Sequence, residues 1–179
     1  MLLPKPKFSD NTANKSQTLL RAIFSYLDRS YLLNYKDLPQ LQDLSIQQFR
    51  HAAFTKAKAK DGRRLGEKAI AGMCDLVKSD RERQNELFDG ELLKDSILML
   101  HIFGIYAKSF EPEILTRSHA YFEEFAEERA TSSMKDYISS CDNLLNREAN
   151  RCDMYNFDST TKRSLHDSAH YILIESRSK

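Results

Sequence analysis

Two histidines, His166 and His170, have the spacing in this sequence that most resembles a pair of metal ligands. They are four residues apart, so both rings would face one metal ion if the segment is an α-helix. The segment does not have the sequence His-Glu-x-x-His, and no third ligand is evident. We therefore expect surface or packing roles and predict no metal site. The same interpretation applies to the isolated histidines, His51, His101 and His119.

Three cysteines, Cys74, Cys141 and Cys152, are odd in number and widely spaced, without a Cys-x-x-Cys pair. This pattern is typical of reduced, intracellular thiols rather than of a disulfide framework. Cys141 and Cys152 lie on the apolar stripe of a predicted long helix. Because burial in apolar surroundings raises the pKa of a thiol and makes it a poor nucleophile, we expect core packing rather than catalysis.

A basic cluster surrounds the end of a predicted helix. It would suit the phosphates of a nucleic acid or an acidic partner. However, cations are also favourable at a helix C-terminus, and no aromatic residue is interleaved for stacking on bases. Direct nucleic-acid binding is therefore the less favoured interpretation. The members of the cluster are Lys56, Lys58, Lys60, Arg63, Arg64 and Lys68.

Four acidic residues form a second charged group, at Glu123, Glu124, Glu127 and Glu128. Paired carboxylates perform acid–base chemistry when a pocket separates their pKa values. On consecutive helical positions they radiate outwards instead, so we expect a solvated face. The sequence contains no glycine-rich phosphate loop and no Ser–His–Asp signature. It therefore predicts no enzyme, no catalytic or cofactor-binding residue and no cofactor.

The composition is that of a folded protein without an obvious affinity for membranes or nucleic acid. Of 179 residues, 41% are hydrophobic and 30% are charged, and the net charge is +1. No apolar run approaches the roughly 20 residues that span a bilayer, and the first residues lack the apolar core of a secretory signal. We expect an intracellular protein with no membrane partner.

Apolar residues recur at helical spacing along almost the whole chain, and only five glycines and four prolines interrupt them. No strand-like alternation of useful length is present, so the predicted fold class is all-α. We expect Gly62 and Gly104 to end helices and Ser159 or Thr160 to cap the last one. The predicted helices are 18–33, 39 to about 61, 65–78, 90–103, a short piece at 106–110, 111–128, 132–155 and 159 to about 174.

Several segments carry a resemblance to a known family. The stretch from Ile23 to Leu33 resembles the end of the first helical repeat of a cullin, and most closely the cullin-4 type. Asn85 stands where many cullins have a glycine in a turn. The resemblance extends from Gln17 to the C-terminus. Its other motifs are Phe110-Glu111, Tyr121-Phe122, Asp136-Tyr137, Leu144-Leu145, Arg147-Glu148 and Asp158 to Leu165.

The resemblance implies a five-helix cullin-repeat bundle with one helix from the preceding and one from the following repeat. Residues 1–16 would be a mobile lead-in and 17–35 the last helix of repeat one. Residues 37–155 would form repeat two, and 159–179 the first helix of repeat three. The chain would then be a fragment of a longer scaffold.

The implied function is that of a non-catalytic scaffold segment of a cullin-RING E3 ubiquitin ligase, in the nucleus, the cytoplasm or both. In such a scaffold a β-propeller-type substrate adaptor binds the N-terminal end and a RING subunit the C-terminal end. No partner-binding residue is transferred to this segment. The alternatives are a stand-alone helical interaction module and a nucleic-acid-associated module that uses the basic loop 56–64. The residues expected to be structural are Leu20, Ile23, Phe24 and Leu27 for docking the first helix, and Tyr137, Leu144 and Leu145 for the bundle core.

Overall fold

A computed structural model describes residue 19 and residues 22–25, 38–82 and 90–176. The chain divides into two compact units, Met1–Ala52 and Ala53–Lys179. This division falls inside the range 37–155 predicted for one repeat, and the repeat boundaries stay a prediction. In the described residues no helix is both long enough and apolar enough to cross a membrane.

In the first unit, residues 19 and 22–25 are helical, in agreement with the helix predicted over 18–33. Ile23 and Phe24 are 63% and 41% exposed, so their docking role stays a prediction. Leu20 and Leu27 lie outside the described residues, as does the turn at Asn85.

Helix α1 spans Leu41–Phe49 and continues as a π-helical segment, Arg50–Lys56. Pro39 precedes its N-cap, Gln40, so the helix begins two residues later than the predicted start at Pro39. No residue of α1 is buried.

The described residues of the second unit form five α-helices and two short π-helical turns, in addition to the end of the segment Arg50–Lys56. Its described residues include no strand, only an isolated antiparallel bridge between Lys58 and Arg64. The predicted all-α fold class is therefore confirmed. The helices are α2 (Leu65–Glu82), α3 (Gly90–Ile102), α4 (Glu111–Glu128), α5 (Met134–Met154) and α6 (Ser159–His170), and the π-helical turns are Tyr106–Phe110, before α4, and Tyr171–Glu175, after α6.

Two helix ends follow from single residues that accept a left-handed backbone. Gly104 has φ 63°, and the amides of residues 104 and 105 donate to the carbonyls of His101 and Leu100. Asn156, with φ 55°, ends α5 through the equivalent pair of bonds. Both arrangements are Schellman motifs, which satisfy carbonyls that would otherwise lack a partner. The predicted break after Gly104 is confirmed.

The N-terminal residues of α5 and α6 differ from the predicted ones. Ser133 caps α5, and its hydroxyl accepts a hydrogen bond from the Asp136 amide at 3.2 Å. The expected capping of α6 by Ser159 or Thr160 was wrong. Its N-cap is Asp158, and both hydroxyl residues already lie within the first turn. The extended backbone of Asp158, with ψ 150°, begins the helix one residue earlier than the hydroxyl signal suggested.

The core of the second unit lies between α2, α3, α4, α5 and α6. Leu144 is buried as predicted, and Tyr137 and Leu145 are partly buried against the same core. Met134 and Ile138, two apolar residues of the same helix, are 75% and 53% exposed. The buried residues of α5 are Cys141, Leu144, Glu148 and Cys152, so its first two turns contribute none of them. The most deeply buried apolar side chains include Leu93, Ile97, Leu100, Phe110, Phe122, Leu144 and Leu173.

Candidate functional site

A buried ionic cluster connects three helices of the second unit. Arg81, near the end of α2, donates to both carboxylate oxygens of Glu148 on α5, from Nε at 3.2 Å and from Nη2 at 2.8 Å. The same Nη2 donates to the Ser118 hydroxyl of α4 at 2.8 Å. The side chains of Arg81 and Glu148 are only 4% and 7% exposed. One guanidinium therefore fixes α2, α4 and α5 together through its planar fork of donors.

A second ion pair extends this cluster towards the surface. Arg151 of α5 donates to Glu148 and to Asp80 of α2. Burial by itself would lower the pKa of Arg151, but the two carboxylates raise it overall. The four groups balance to zero net charge. The Arg81 guanidinium also lies 4.6 Å from the centre of the Tyr121 ring, which adds a cation–π contact.

The chemistry available at this cluster is structural. A groove of about 270 Å³ opens beside Arg81 and is lined in part by Cys74, Lys78 and Tyr121. Burial raises the pKa of the Cys74 thiol to about 12, which keeps it neutral and a poor nucleophile. Both Glu148 oxygens accept bonds from arginines, so this carboxylate is not available as a general base. The cluster is a clamp between helices.

A second buried polar cluster joins α6 to the elements before it. The Tyr106 hydroxyl donates to the Thr161 hydroxyl at 3.0 Å, and Thr161 donates to the Glu111 carboxylate at 2.9 Å. Burial raises the pKa of Tyr106 to about 12, so it remains a donor. The His101 ring stacks on Tyr106 with centroids 4.2 Å apart. This chain of bonds fixes the first turn of α6 against α4.

The remaining residues singled out from the sequence do not converge on one site. His166 and His170 stack with their ring centroids 6.3 Å apart, and no group of three or more possible metal ligands occurs among the described residues. Cys141 and Cys152 are buried, which confirms core packing, and burial raises the pKa of Cys152 to about 11. The side chains of the basic cluster and of Glu123, Glu124, Glu127 and Glu128 are exposed.

Comparison with known proteins decides the family. The family model of the cullin alpha solenoid domain matches residues 11–179. The chain belongs to the cullin family. Cullin-4A of Mus musculus is 29% identical over 149 residues, and Cullin-4A of Homo sapiens is 27% identical over 152 residues; each match covers 83% of this chain and 19% of the relative. Cullin-3 of Dictyostelium discoideum is 25% identical over 156 residues, which are 84% of this chain and 19% of that protein.

This cullin segment spans about a fifth of the length of the curated relatives that it matches. The family confirms the resemblance inferred from the motifs. An alpha solenoid consists of helical units that contact their neighbours in series. The two buried polar clusters are contacts between helices in such a unit.

Neither polar cluster of this cullin segment was predicted from its sequence. Glu148 stands out in the sequence only as part of a family motif, and Arg81 only as part of a charged helix end. One signal was available. Leu144, Glu148 and Cys152 follow one another at four-residue steps, so the carboxylate lies on the buried stripe and requires a cation. Thr161 shows a similar signal, four residues before the buried Leu165.

Proposed function

We propose that this chain is a non-catalytic scaffold segment of a cullin-RING E3 ubiquitin ligase. In this proposal it holds the substrate adaptor at a fixed distance from the RING subunit and its ubiquitin-charged enzyme. Membership of the cullin family and the similarity to Cullin-4A support this assignment. The adaptor would be of the β-propeller type at the N-terminal end of the full-length protein, and the RING subunit would bind at its C-terminal end. We expect the ligase in the nucleus, the cytoplasm or both.

The observation that carries the proposal is the close packing of α6, and of the π-helical turn after it, on the helices before them. Leu165, Ala169 and Leu173 are at most 2% exposed, and the Tyr137 hydroxyl donates to the Leu173 carbonyl at 2.8 Å. The Thr161 hydroxyl is fixed between Tyr106 and Glu111. If α6 begins the next repeat, as the resemblance predicts, the junction between repeats is a packed core rather than a hinge. Such a junction suits a rigid support.

The same contacts support a structural rather than a catalytic role. The buried charged groups pair with one another, and burial holds the pKa values of the Cys74 and Cys152 thiols at about 12 and about 11. We therefore assign no catalytic residue to this segment. Ubiquitin transfer would be performed by the enzymes that the complete ligase brings together.

The test distinguishes a loss of rigidity at the junction from a loss of partner binding. In the full-length protein, Leu165→Asp introduces a carboxylate into the junction, whereas His166→Asp introduces it on the exposed side of the same helix. The assay measures ubiquitin transfer to a substrate bound by the adaptor, together with retention of the adaptor and of the RING subunit. We expect Leu165→Asp to retain both partners and to lower transfer several-fold, with His166→Asp unchanged. Unchanged transfer in Leu165→Asp, or retention of neither partner by the unsubstituted protein, would contradict the proposal.

A further inference from the structure

The basic cluster is built on a tight β-hairpin that connects the π-helical segment after α1 to α2. The Ala59 amide donates to the Arg63 carbonyl at 2.8 Å, and the Leu65 amide donates to the Ala57 carbonyl at 2.8 Å. At the tip, the Gly62 amide donates to the Ala59 carbonyl at 3.0 Å, and Gly62 has φ 82°. This is a three-residue hairpin loop that ends in a left-handed glycine. The hairpin has a defined backbone before any ligand binds.

Half-buried and exposed side chains alternate along the first part of this hairpin. Ala57 and Ala59 are half-buried, whereas Lys58 and Lys60 are exposed. Because successive side chains of an extended strand point to opposite faces, Lys58 lies on the outer face, whereas Lys60 is the first residue of the three-residue loop. Lys58 is bridged to Arg64 on the other strand, and residues opposite each other share a face. Lys58 and Arg64 therefore share one outer face, and Lys60 is exposed in the adjoining loop.

This arrangement is unfavourable in the free protein. Lys58 and Arg64 form a non-hydrogen-bonded pair, the type in which opposing side chains are closest. Like charges directly opposite one another destabilise a hairpin. Asp61 does not relieve the repulsion, because its carboxylate accepts bonds from Arg63 and from Lys68.

Few acidic groups lie near these three cations. Glu67 lies 4.0 Å from the Arg64 guanidinium, at the limit of an ion pair. Lys58 and Lys60 make no ion pair within the described part of the chain. The outer face thus combines a fixed backbone with cationic charge that its neighbours do not neutralise.

We propose that this face binds an extended acidic segment of a partner protein. Lys58 and Arg64 lie opposite each other across the hairpin, and the exposed Lys60 lies in the loop that joins the two strands. Carboxylates at alternate positions of an extended peptide lie on one side of that peptide, so they would meet these cations together. Residues 57–68 contain no aromatic side chain on which a nucleic-acid base would stack. The site is independent of the scaffold function and adds a contact for a regulator or a substrate.

The test uses the 179-residue chain and three labelled probes: a peptide of alternating Glu and Ser, its Gln-Ser counterpart of the same length, and a short oligothymidine. Fluorescence anisotropy measures binding to the unsubstituted protein and to a variant with Lys58→Ala, Lys60→Ala and Arg64→Ala. The matched control carries Lys108→Ala, Lys135→Ala and Arg163→Ala, three exposed cations on other elements.

We expect the acidic peptide to bind more tightly than the two other probes, and to bind more weakly as the salt concentration rises. The hairpin variant should bind it about tenfold more weakly, and the control variant should not differ from the unsubstituted chain. Equal binding of the Gln-Ser peptide, or an unchanged affinity of the hairpin variant, would overturn the proposal. Tighter binding of the oligothymidine that is lost in the hairpin variant would also overturn it, in favour of nucleic acid.

A second variant distinguishes a binding face from a structural one. Arg64→Thr removes the like-charge pair and places a strand-favouring residue in the hairpin. We expect this variant to unfold at the same or a higher temperature than the unsubstituted chain while it binds the acidic peptide several-fold more weakly. A lower unfolding temperature with unchanged binding would show that the arginine serves the fold, and would contradict the proposal.

Discussion

Removal of the Glu148 carboxylate should be among the most destabilising single changes in this chain. In Glu148→Ala the guanidinium of Arg81 remains buried and, among the residues that the structure describes, retains only the Ser118 hydroxyl as a short-range acceptor. Arg151 loses one of its two carboxylates and keeps Asp80. Breaking a buried ion pair by removing one partner costs about 3–5 kcal/mol. Whole domains have stabilities of about 5–15 kcal/mol, so this loss is a large fraction of the total.

Urea unfolding monitored by circular dichroism measures this cost without screening the charges. With a slope of about 2 kcal/mol per molar urea, the midpoint should fall by about 2 M. The control is Glu127→Ala, which removes an exposed carboxylate from α4 and should change the stability by less than about 0.5 kcal/mol. A double variant, Arg81→Met with Glu148→Leu, removes both charges and should cost less than Glu148→Ala alone. If Glu148→Ala lowers the stability no more than Glu127→Ala, the clamp does not hold the three helices.

Further experiments test the packing of α2, the second polar cluster and the buried thiols. Gly66→Ala should lower the free energy of unfolding by about 1–3 kcal/mol, because the new Cβ would lie 2.7 Å from a backbone carbonyl oxygen. Gly72 has open space around it, so Gly72→Ala should stabilise α2 by about 0.5–1 kcal/mol. Equal urea midpoints for the two variants would refute the contact at Gly66. Thr161→Val keeps the shape of a fully buried side chain but removes both hydrogen bonds of the hydroxyl. In the same assay it should lower the free energy of unfolding by about 1–3 kcal/mol. A loss below about 0.3 kcal/mol would contradict a stabilising role of the second polar cluster. Burial raises the pKa of Cys74 from 9.0 to about 12 and of Cys152 to about 11, so the folded chain keeps protons that the unfolded chain releases, and the stability should fall as the pH rises from about 9 through about 12. Replacing both cysteines with alanine should reduce this fall, and an unchanged pH profile would refute the assignment.

The all-α fold and many helix ends could be predicted from local patterns. The expected helix end at Gly62 was wrong, because the helical segment ends at Lys56 and Gly62 lies in the loop of a hairpin. Apolar spacing identified the helices of the second unit, and Gly104 marked the end of α3 because a left-handed backbone strongly favours glycine. The cullin motifs are likewise short runs of neighbouring residues. All of these features depend on residues within a few positions of one another, which is why the sequence alone carries them.

The buried clusters depend on partners far apart in the chain. Arg81 and Glu148 are 67 residues apart, and Tyr106 and Thr161 are 55 residues apart. A charged residue on a helix is usually exposed, so its burial becomes evident only when the partner is known to lie opposite. Whether Ile138 is exposed likewise depends on which neighbouring elements cover α5. The spacing of apolar residues predicts which side of a helix faces the core, but it does not predict how much of that side other helices cover.

The most direct test of the scaffold proposal is to isolate the protein from its own cells with an antibody against Met134–Met154. The isolate is then supplied with ubiquitin, its activating enzyme and a conjugating enzyme, and ubiquitin transfer is measured alongside the proteins that accompany it. The proposal predicts that a RING subunit and a β-propeller adaptor accompany the protein and that ubiquitin is transferred. A protein that is isolated without a RING subunit and without ubiquitin transfer would contradict it.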